Sequence, residues 1–264
     1  SSDLANSERK IVGSDTGSFD LFGRSVAVSG DTAVVGAPGD DISANTSQGS
    51  AYVFTRSGTN WTQQQKLTSS DGAAGDVFGY SVSISGDTIV VGAYLADVGA
   101  NADQGAAYVF TRSSGTWTQQ AKLTASDGAA GDFFGWSVSL KSDIAIVGAP
   151  FDDVTATDEG SAYIFMYNSG SWSQTGRANA SDASANGGYG YSVSIYRGTW
   201  GYTFVVGAPY KDAVYISTFF AGSWSGQKLT PSDGAAGDYF GLSVAVEEDT
   251  LIVGSPFSYV SGVR

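Results

Sequence analysis

The residues of this chain that could do chemistry are carboxylates, and they come in pairs at a fixed spacing. Asp71-Gly72-Ala73-Ala74-Gly75-Asp76 sets two acids five positions apart around two glycines, and the pattern returns at Asp127 to Asp132 and at Asp233 to Asp238. Asp15 and Asp20 hold the same places in a looser copy, while an eroded copy keeps Asp182 but has Gly187 where the second acid belongs. Such pairs can serve acid–base catalysis when their pKa values are driven apart, or they can ligate a hard cation. They can equally cap turns through backbone N–H groups, with glycine supplying the φ values. The chain has no histidine and no cysteine, which removes the commonest general base, thiolate metal sites and disulfides. Every acidic pair belongs to the repeat and none stands apart from it. The expectation is therefore a protein that is not an enzyme. The two readings left open are a cation site, Ca2+ first, at Asp15, Asp20, Asp71, Asp76, Asp127, Asp132, Asp233 and Asp238, or eight turn caps.

The elements that must position these acids repeat with them. Each loop runs into an aromatic–glycine pair at Phe22, Phe78, Phe134, Tyr189 or Phe240, spaced 56, 56, 55 and 51 residues apart. A period of this length marks a stack of supersecondary units. Ser25-Val26-Ala27-Val28 alternates like a half-buried strand, Gly30-Asp31 is a tight hairpin, and Thr32 to Gly36 is an apolar strand stopped by Ala37-Pro38. Ser50 to Thr55 is a third strand, and Trp61 to Thr68 is a polar, Gln-rich fourth strand suited to a water-facing edge. Trp117, Trp172 and Trp224 open the fourth strand of later units.

Short strands at even spacing with no helical period predict an all-β fold, a β-propeller of four-stranded antiparallel blades. The blades are expected at 22–69, 78–125, 134–180 and 189–230, with a fifth made of 240–264 plus 8–14. On this reading residues 1–264 form one five-bladed domain, closed where the N-terminal strand completes the last blade. The first residues, Ser1-Ser2-Asp3-Leu4, read as neither an initiator nor a signal peptide, so a processed or excised segment is expected.

Asp plus Glu number 26 against 13 Lys plus Arg, a formal charge of −13. That balance disfavours nucleic acid and anionic membranes and favours cations or basic surfaces. No apolar run is long enough to insert in a bilayer. In a propeller of this kind the loops entering each blade share a face with the loops between its second and third strands. The second set supplies a candidate ligand face of Asp40, Asp41, Asp97, Asp103, Asp152, Asp153, Asp158 and Glu159. Asn45, Asn60 and Asn179 each begin an N-x-[ST] sequon, a glycosylation candidate that with the missing cysteine points to an extracellular or cell-surface setting.

The Phe-Gly pairs, with Gly36-Ala37-Pro38, Gly148-Ala149-Pro150 and Gly207-Ala208-Pro209 (Gly92-Ala93-Tyr94 and Gly254-Ser255-Pro256 being degenerate), resemble FG-GAP repeats of the integrin α-subunit propeller. The resemblance implies the propeller fold and a module that contacts other proteins. It also implies calcium in an Asp-rich loop between strands one and two. That position holds a single acid here, Asp31, Asp87 or Asp143, too few for the six to eight oxygens calcium prefers. The expected function is a non-catalytic extracellular binding or scaffold module for adhesion, a surface filament or matrix, part of a larger chain or assembly, with protein or glycan partners. A lectin using the strand-four tryptophans is one alternative, and an accessory propeller of a larger secreted enzyme is another.

Overall fold

The computed structural model describes residues 9–199, 201–220 and 223–258. It contains four four-stranded antiparallel sheets and one two-stranded sheet, taken in chain order as five blades. Blade one is β1 (Ser25–Ser29), β2 (Thr32–Ala37), β3 (Ser50–Ser57) and β4 (Asn60–Leu67); blade two is β5 (Ser81–Ser85), β6 (Thr88–Ala93), β7 (Ala106–Ser113) and β8 (Thr116–Leu123). Blade three is β9 (Ser137–Lys141), β10 (Ile144–Ala149), β11 (Ser161–Asn168) and β12 (Ser171–Ala178). Blade four is β13 (Ser192–Arg197), β14 (Gly201–Ala208), β15 (Ala213–Phe220) and β16 (Ser223–Leu229); blade five is β17 (Ser243–Glu247) with β18 (Thr250–Gly254). Within each four-stranded blade the strands pair in sequence order, as meanders joined by tight turns. Among the described residues the one helical element is a single 3-10 turn at Pro209–Lys211, and no helix there is long and apolar enough to cross a membrane.

The first strands pack side by side, β1 on β5, β5 on β9, β9 on β13 and β13 on β17. Their alternation serves both neighbours. Val82 and Ile84 of β5 enter a core with Val34, Val53 and Leu67 of blade one, while Val90 of β6 joins the next core with Phe134 and Leu140 of blade three. The small polar residues between them cross-link the blades: Ser83 Oγ accepts from the Leu140 N–H at 3.0 Å and Ser139 Oγ from the Ile195 N–H at 3.1 Å.

Two glycines meet at every junction. The Phe-Gly glycines 79, 135, 190 and 241 have φ of 93° to 96°, a region that β-carbons disfavour. Their carbonyls press on the Gly-Ala-Pro-type glycine of the preceding blade. A Cβ at Gly36, Gly92, Gly148 or Gly207 would lie 1.9, 2.0, 1.9 or 2.0 Å from that oxygen. Beside this contact Ser25, Ser81, Ser137 and Ser192 donate their hydroxyls to the same four carbonyls at 2.7 to 2.8 Å. The aromatic of each pair fills the space behind: Phe78 and Phe134 are fully buried, in edge contact with Tyr108 and Tyr163 at 5.5 Å.

A bulge in the outer strand pair adds a second link. The pairing of β3 with β4 skips Gln64 and that of β7 with β8 skips Gln120, which turns each amide toward the next blade. Gln64 accepts the indole N–H of Trp117, and Gln120 that of Trp172, each at 3.0 Å.

The expected closure is not made among the described residues. Residues 9–13 form no strand; Ile11 instead packs on blade one with Val35, Tyr52 and Phe54, where Leu67 packs on blade two. The third strand expected at the end of blade five falls on residues 259–264, outside the described residues.

Gly92→Ala tests the junction. Overpacking against a backbone carbonyl is expected to lower the unfolding free energy by about 3 kcal/mol. Gly176→Ala, whose Cβ would meet nothing nearer than the Ile164 Cδ1 at 3.5 Å, should change it by less than about 0.5 kcal/mol. Urea unfolding of the two variants gives the comparison, and equal midpoints would remove the close approach.

Candidate functional site: the loop face

The loops entering each blade and the loops after each second strand are hydrogen-bonded to one another, so they form one face. Gly75 and Val77 N–H donate to the carbonyls of Thr46 and Ser47, and Phe78 N–H to that of Gln48. Asn45 reinforces the seam, its amide donating to Gln48 Oε1 and to the Gly72 carbonyl; Asn101, Gln104 and Gly128 repeat the arrangement one blade later. Blade four has too short a loop for this. There Asp212, in the left-handed region at φ 46°, substitutes its carboxylate and accepts from the Gly237 and Phe240 N–H groups.

In four of the five entry loops the first acid is drawn to a cation on the fourth strand of the blade that the loop enters. Asp15 lies 2.7 Å from Lys66, Asp71 2.6 Å from Lys122 and Asp182 2.6 Å from Lys228, and Asp127 pairs with Arg177. Third-strand tyrosines join in, Tyr52 donating to Asp15 and Tyr215 to Asp182. The Lys66 and Lys228 bonds, then the tyrosine hydroxyls, hold Asp15 and Asp182 below the usual carboxylate range. Asp233 is exposed and has no side-chain partner among the described residues.

The second acid of each loop folds back on its own turn. Asp20, Asp76, Asp132 and Asp238 are buried and accept the N–H three residues earlier, from Gly17, Ala73, Ala129 and Ala235. Of the other loop set, Asp40 is buried against Ser50, Tyr52 and Lys66, and Asp152 accepts from Tyr163. Glu159 accepts from Thr155 and Ala156. Asp41, Asp97 and Asp153 cap the N–H groups of Ser47, Asp103 and Asp158. The hairpin acids Asp31, Asp87 and Asp143 are paired with Arg56, Arg112 and Arg197.

This donor set does not fit a calcium ion. Among the described residues no three carboxylates gather at one point, and the acids of the loops expected to bind metal are mostly engaged with lysine, arginine, tyrosine or backbone N–H. The sequons divide in the same way. Asn45 and Asn179 are half-buried with their amides donating to the fold, whereas Asn60 stands exposed at the start of β4.

What the face offers instead is an aromatic belt. Tyr80, Trp136 and Tyr191, each following a Phe-Gly-type glycine, succeed one another at centroid distances of 5.1 Å, and the Arg24 guanidinium lies 4.1 Å over Tyr80. Tyr94 touches both Tyr80 and Trp136, Phe151 touches Phe133 and Trp136, and Tyr210 joins Tyr191 to Tyr239 and thence to Phe257. These rings are half-buried, with Tyr210 and Phe257 exposed. Desolvation first, then neighbouring hydroxyls and acids, raises the tyrosines: Tyr94 is pushed up with Tyr80 and Asp103 nearby, Tyr210 with Tyr239 and Asp158. The strand-four tryptophans are poor platforms by comparison, since Trp117 is buried and the indole N–H groups of Trp117 and Trp172 are bonded to glutamines. The aromatics recurring after the glycine at 80, 136 and 191 are visible in the sequence; what joins them into a belt is the second recurrence, after the second strand at 94, 151, 210 and 257, from loops distant in the chain.

Burial, helped by Asp152, Asp153 and Asp127 and opposed by the Ala129 N–H, pushes Asp132 up to about 6. The native state therefore holds a proton that the unfolded chain has lost, and stability falls as pH rises from about 4 to about 6. Asp15, Asp71 and Asp182 act oppositely, giving stability that is lost only as pH falls below 3.8 through their lowered values. Asp132→Asn keeps an acceptor for the Ala129 N–H and should gain on the wild type by roughly 2–3 kcal/mol between pH 4 and pH 7; denaturant unfolding at each pH measures it.

The Tyr108 hydroxyl is buried without a well-formed hydrogen bond, since Ala96 stands where blades one and three have the buried Asp40 and Asp152, and only the more exposed Asp71 lies near it. Tyr108→Phe should accordingly be neutral or stabilising, whereas Tyr163→Phe, which strands the Asp152 carboxylate, should cost about 1–2 kcal/mol in the same assay.

Comparison with known proteins adds the family. No curated protein matches the chain. The FG-GAP repeat model matches residues 6–54, 61–110, 117–165, 172–223 and 224–262. Five consecutive matches over nearly the whole sequence, with the paired glycines of that repeat at each blade junction, make this chain a member of the FG-GAP repeat family.

Proposed function

We propose that the protein is a non-catalytic binding module that docks a basic protein partner on its loop face. The observation that carries this reading is the aromatic belt, nine rings in mutual contact and open to solvent on the side where the acidic loops converge. Rigid aromatic side chains give large contact area at low entropic cost, and an arginine or lysine placed over their faces adds a cation–π attraction. The half-buried Asp103 and Asp158 flank the belt, and Phe19 and Leu21 extend its apolar surface at blade one, 90% and 59% exposed. The net charge of −13 steers a basic partner to the module and repels nucleic acid.

The setting we propose is outside the cell, in adhesion, a surface filament or matrix, with any glycan attached at Asn60. No cation is needed for partner binding on this reading, since the belt and the flanking acids are set by the fold.

Immobilised protein is expected to retain lysine- and arginine-rich peptides over acidic ones of equal length, more weakly as salt rises. Trp136→Ala and Tyr191→Ala should each weaken retention at least about tenfold while unfolding in one cooperative transition. Retention unchanged in both variants would rule out the belt as the docking surface.

A further inference from the structure

Blades three and four part along their outer strands and leave a cavity of about 650 Å3 between them. Its cause is three small residues at positions where the earlier blades carry glutamine. Thr175 is skipped by the β11–β12 pairing, the place of Gln64 and Gln120, whose amides reach the next blade. Its hydroxyl instead donates back to the Ile164 carbonyl at 3.3 Å. Gly176 stands at the register of Gln65, which bonds both backbone groups of Trp117 at 2.7 and 2.8 Å. Gly226 follows a strand-four tryptophan by two residues, as Gln63, Gln119 and Gln174 do. Each of those glutamines accepts the N–H of an entry-loop serine, Ser14, Ser70 or Ser126, at 2.8 to 3.0 Å.

The two walls of the cavity differ in kind. Blade three presents aliphatic side chains, Ile144, Ile164 and Met166, and blade four presents Tyr202, Phe204 and Phe219. The Tyr202 and Phe204 rings lie side by side, centroids 6.3 Å apart and planes within 20°, and so make one flat surface. Thr175 and Ser225, both exposed, mark the mouth at the outer rim. Among the described residues the lining holds one charge, Arg177, and that is already paired with Asp127. We propose that the cavity binds a flat, uncharged, largely hydrocarbon small molecule between its aromatic and aliphatic walls. The volume is that of small-molecule sites, which are mostly apolar with a few polar groups to orient the ligand. An ionised ligand is disfavoured, because it would leave water for a lining whose one charge is already matched. The site shares no residue with the aromatic belt.

The uncharged dye N-phenyl-1-naphthylamine brightens in apolar surroundings and serves as the probe. Titrated into the whole chain, its fluorescence should saturate at one dye per chain. Gly176 and Gly226 offer the means to fill the cavity, since each pairs with a residue that lines it, Ile164 and Ser217. An added Cβ would meet nothing nearer than the Ile164 Cδ1 at 3.5 Å and the Ile216 carbonyl at 3.8 Å respectively. Gly176→Leu and Gly226→Leu should each weaken dye binding at least about tenfold, while melting no lower than the wild type. The two lie on different blades, so either one reads the site by itself. Trp136→Ala, in the belt, should bind the dye as the wild type does. The inference is overturned by a titration that never saturates, or by folded glycine variants that keep wild-type affinity. A Trp136→Ala protein that loses the dye as they do overturns it equally.

Discussion

A carbonyl oxygen seated against a glycine is the contact on which the rest of this structure depends. At each junction the oxygen of a left-handed Phe-Gly glycine occupies the volume a side chain would need on the preceding blade, and a serine hydroxyl is bonded to it. Both glycines are required for different reasons, one for its φ and one for its missing β-carbon. The contact sets how closely the first strands approach, and hence that Val82 or Ile84 reaches the core of the blade before while Val90 reaches the blade after. The Phe-Gly pair and the Gly-Ala-Pro tripeptide of the family are thus two sides of one packing requirement.

With the blades held at that spacing, each entry loop lies beside the fourth strand of the blade it enters, about fifty residues along the chain. The acids of the loops are spent on that crossing. Lys66 shows the balance: burial opposes its charge, but Asp15 and Asp40 outweigh that and hold it protonated. Much of the acidity that dominates the composition is therefore internal cross-linking, and the charge a partner meets comes from fewer groups.

Much of the fold was legible in the sequence because it is written in local, repeated signals: alternation, hairpin glycines and the period itself. The order and antiparallel pairing of the strands within each sheet follow from those. The site was less legible because its partners are distant. Nothing in Asp-Gly-Ala-Ala-Gly-Asp announces that Lys122 will sit 2.6 Å from Asp71, or that Asp76 will turn back to the Ala73 N–H. Asn45 was read as a sequon, although its amide stitches two loops; the clue was Asn-x-x-Gln-Gly, recurring at Asn101. The N-terminal segment was read by homology to a strand, but a strand forms only where a neighbour offers an edge, and Ile11 has packed without one.

The matched repeat and the structural blade are out of phase, and the offset is physically informative. The second, third and fourth matches begin at a fourth strand and end in or next to the third strand of the next blade, so the unit spans a junction and not a sheet. What recurs is then the interface together with the loop crossing it, which accounts for the persistence of the belt where the sequence drifts. Leu21, Val77, Phe133 and Tyr239 all precede a Phe-Gly-type pair at φ of 56° to 58°, a strained conformation for bulky residues. Blade four relaxes that position to Gly188, and the Tyr210 ring fills the room, 2.6 Å from where a β-carbon would be. One loop yields an aromatic position and the opposing loop occupies it, so the surface is kept although the residue that provides it has changed strand.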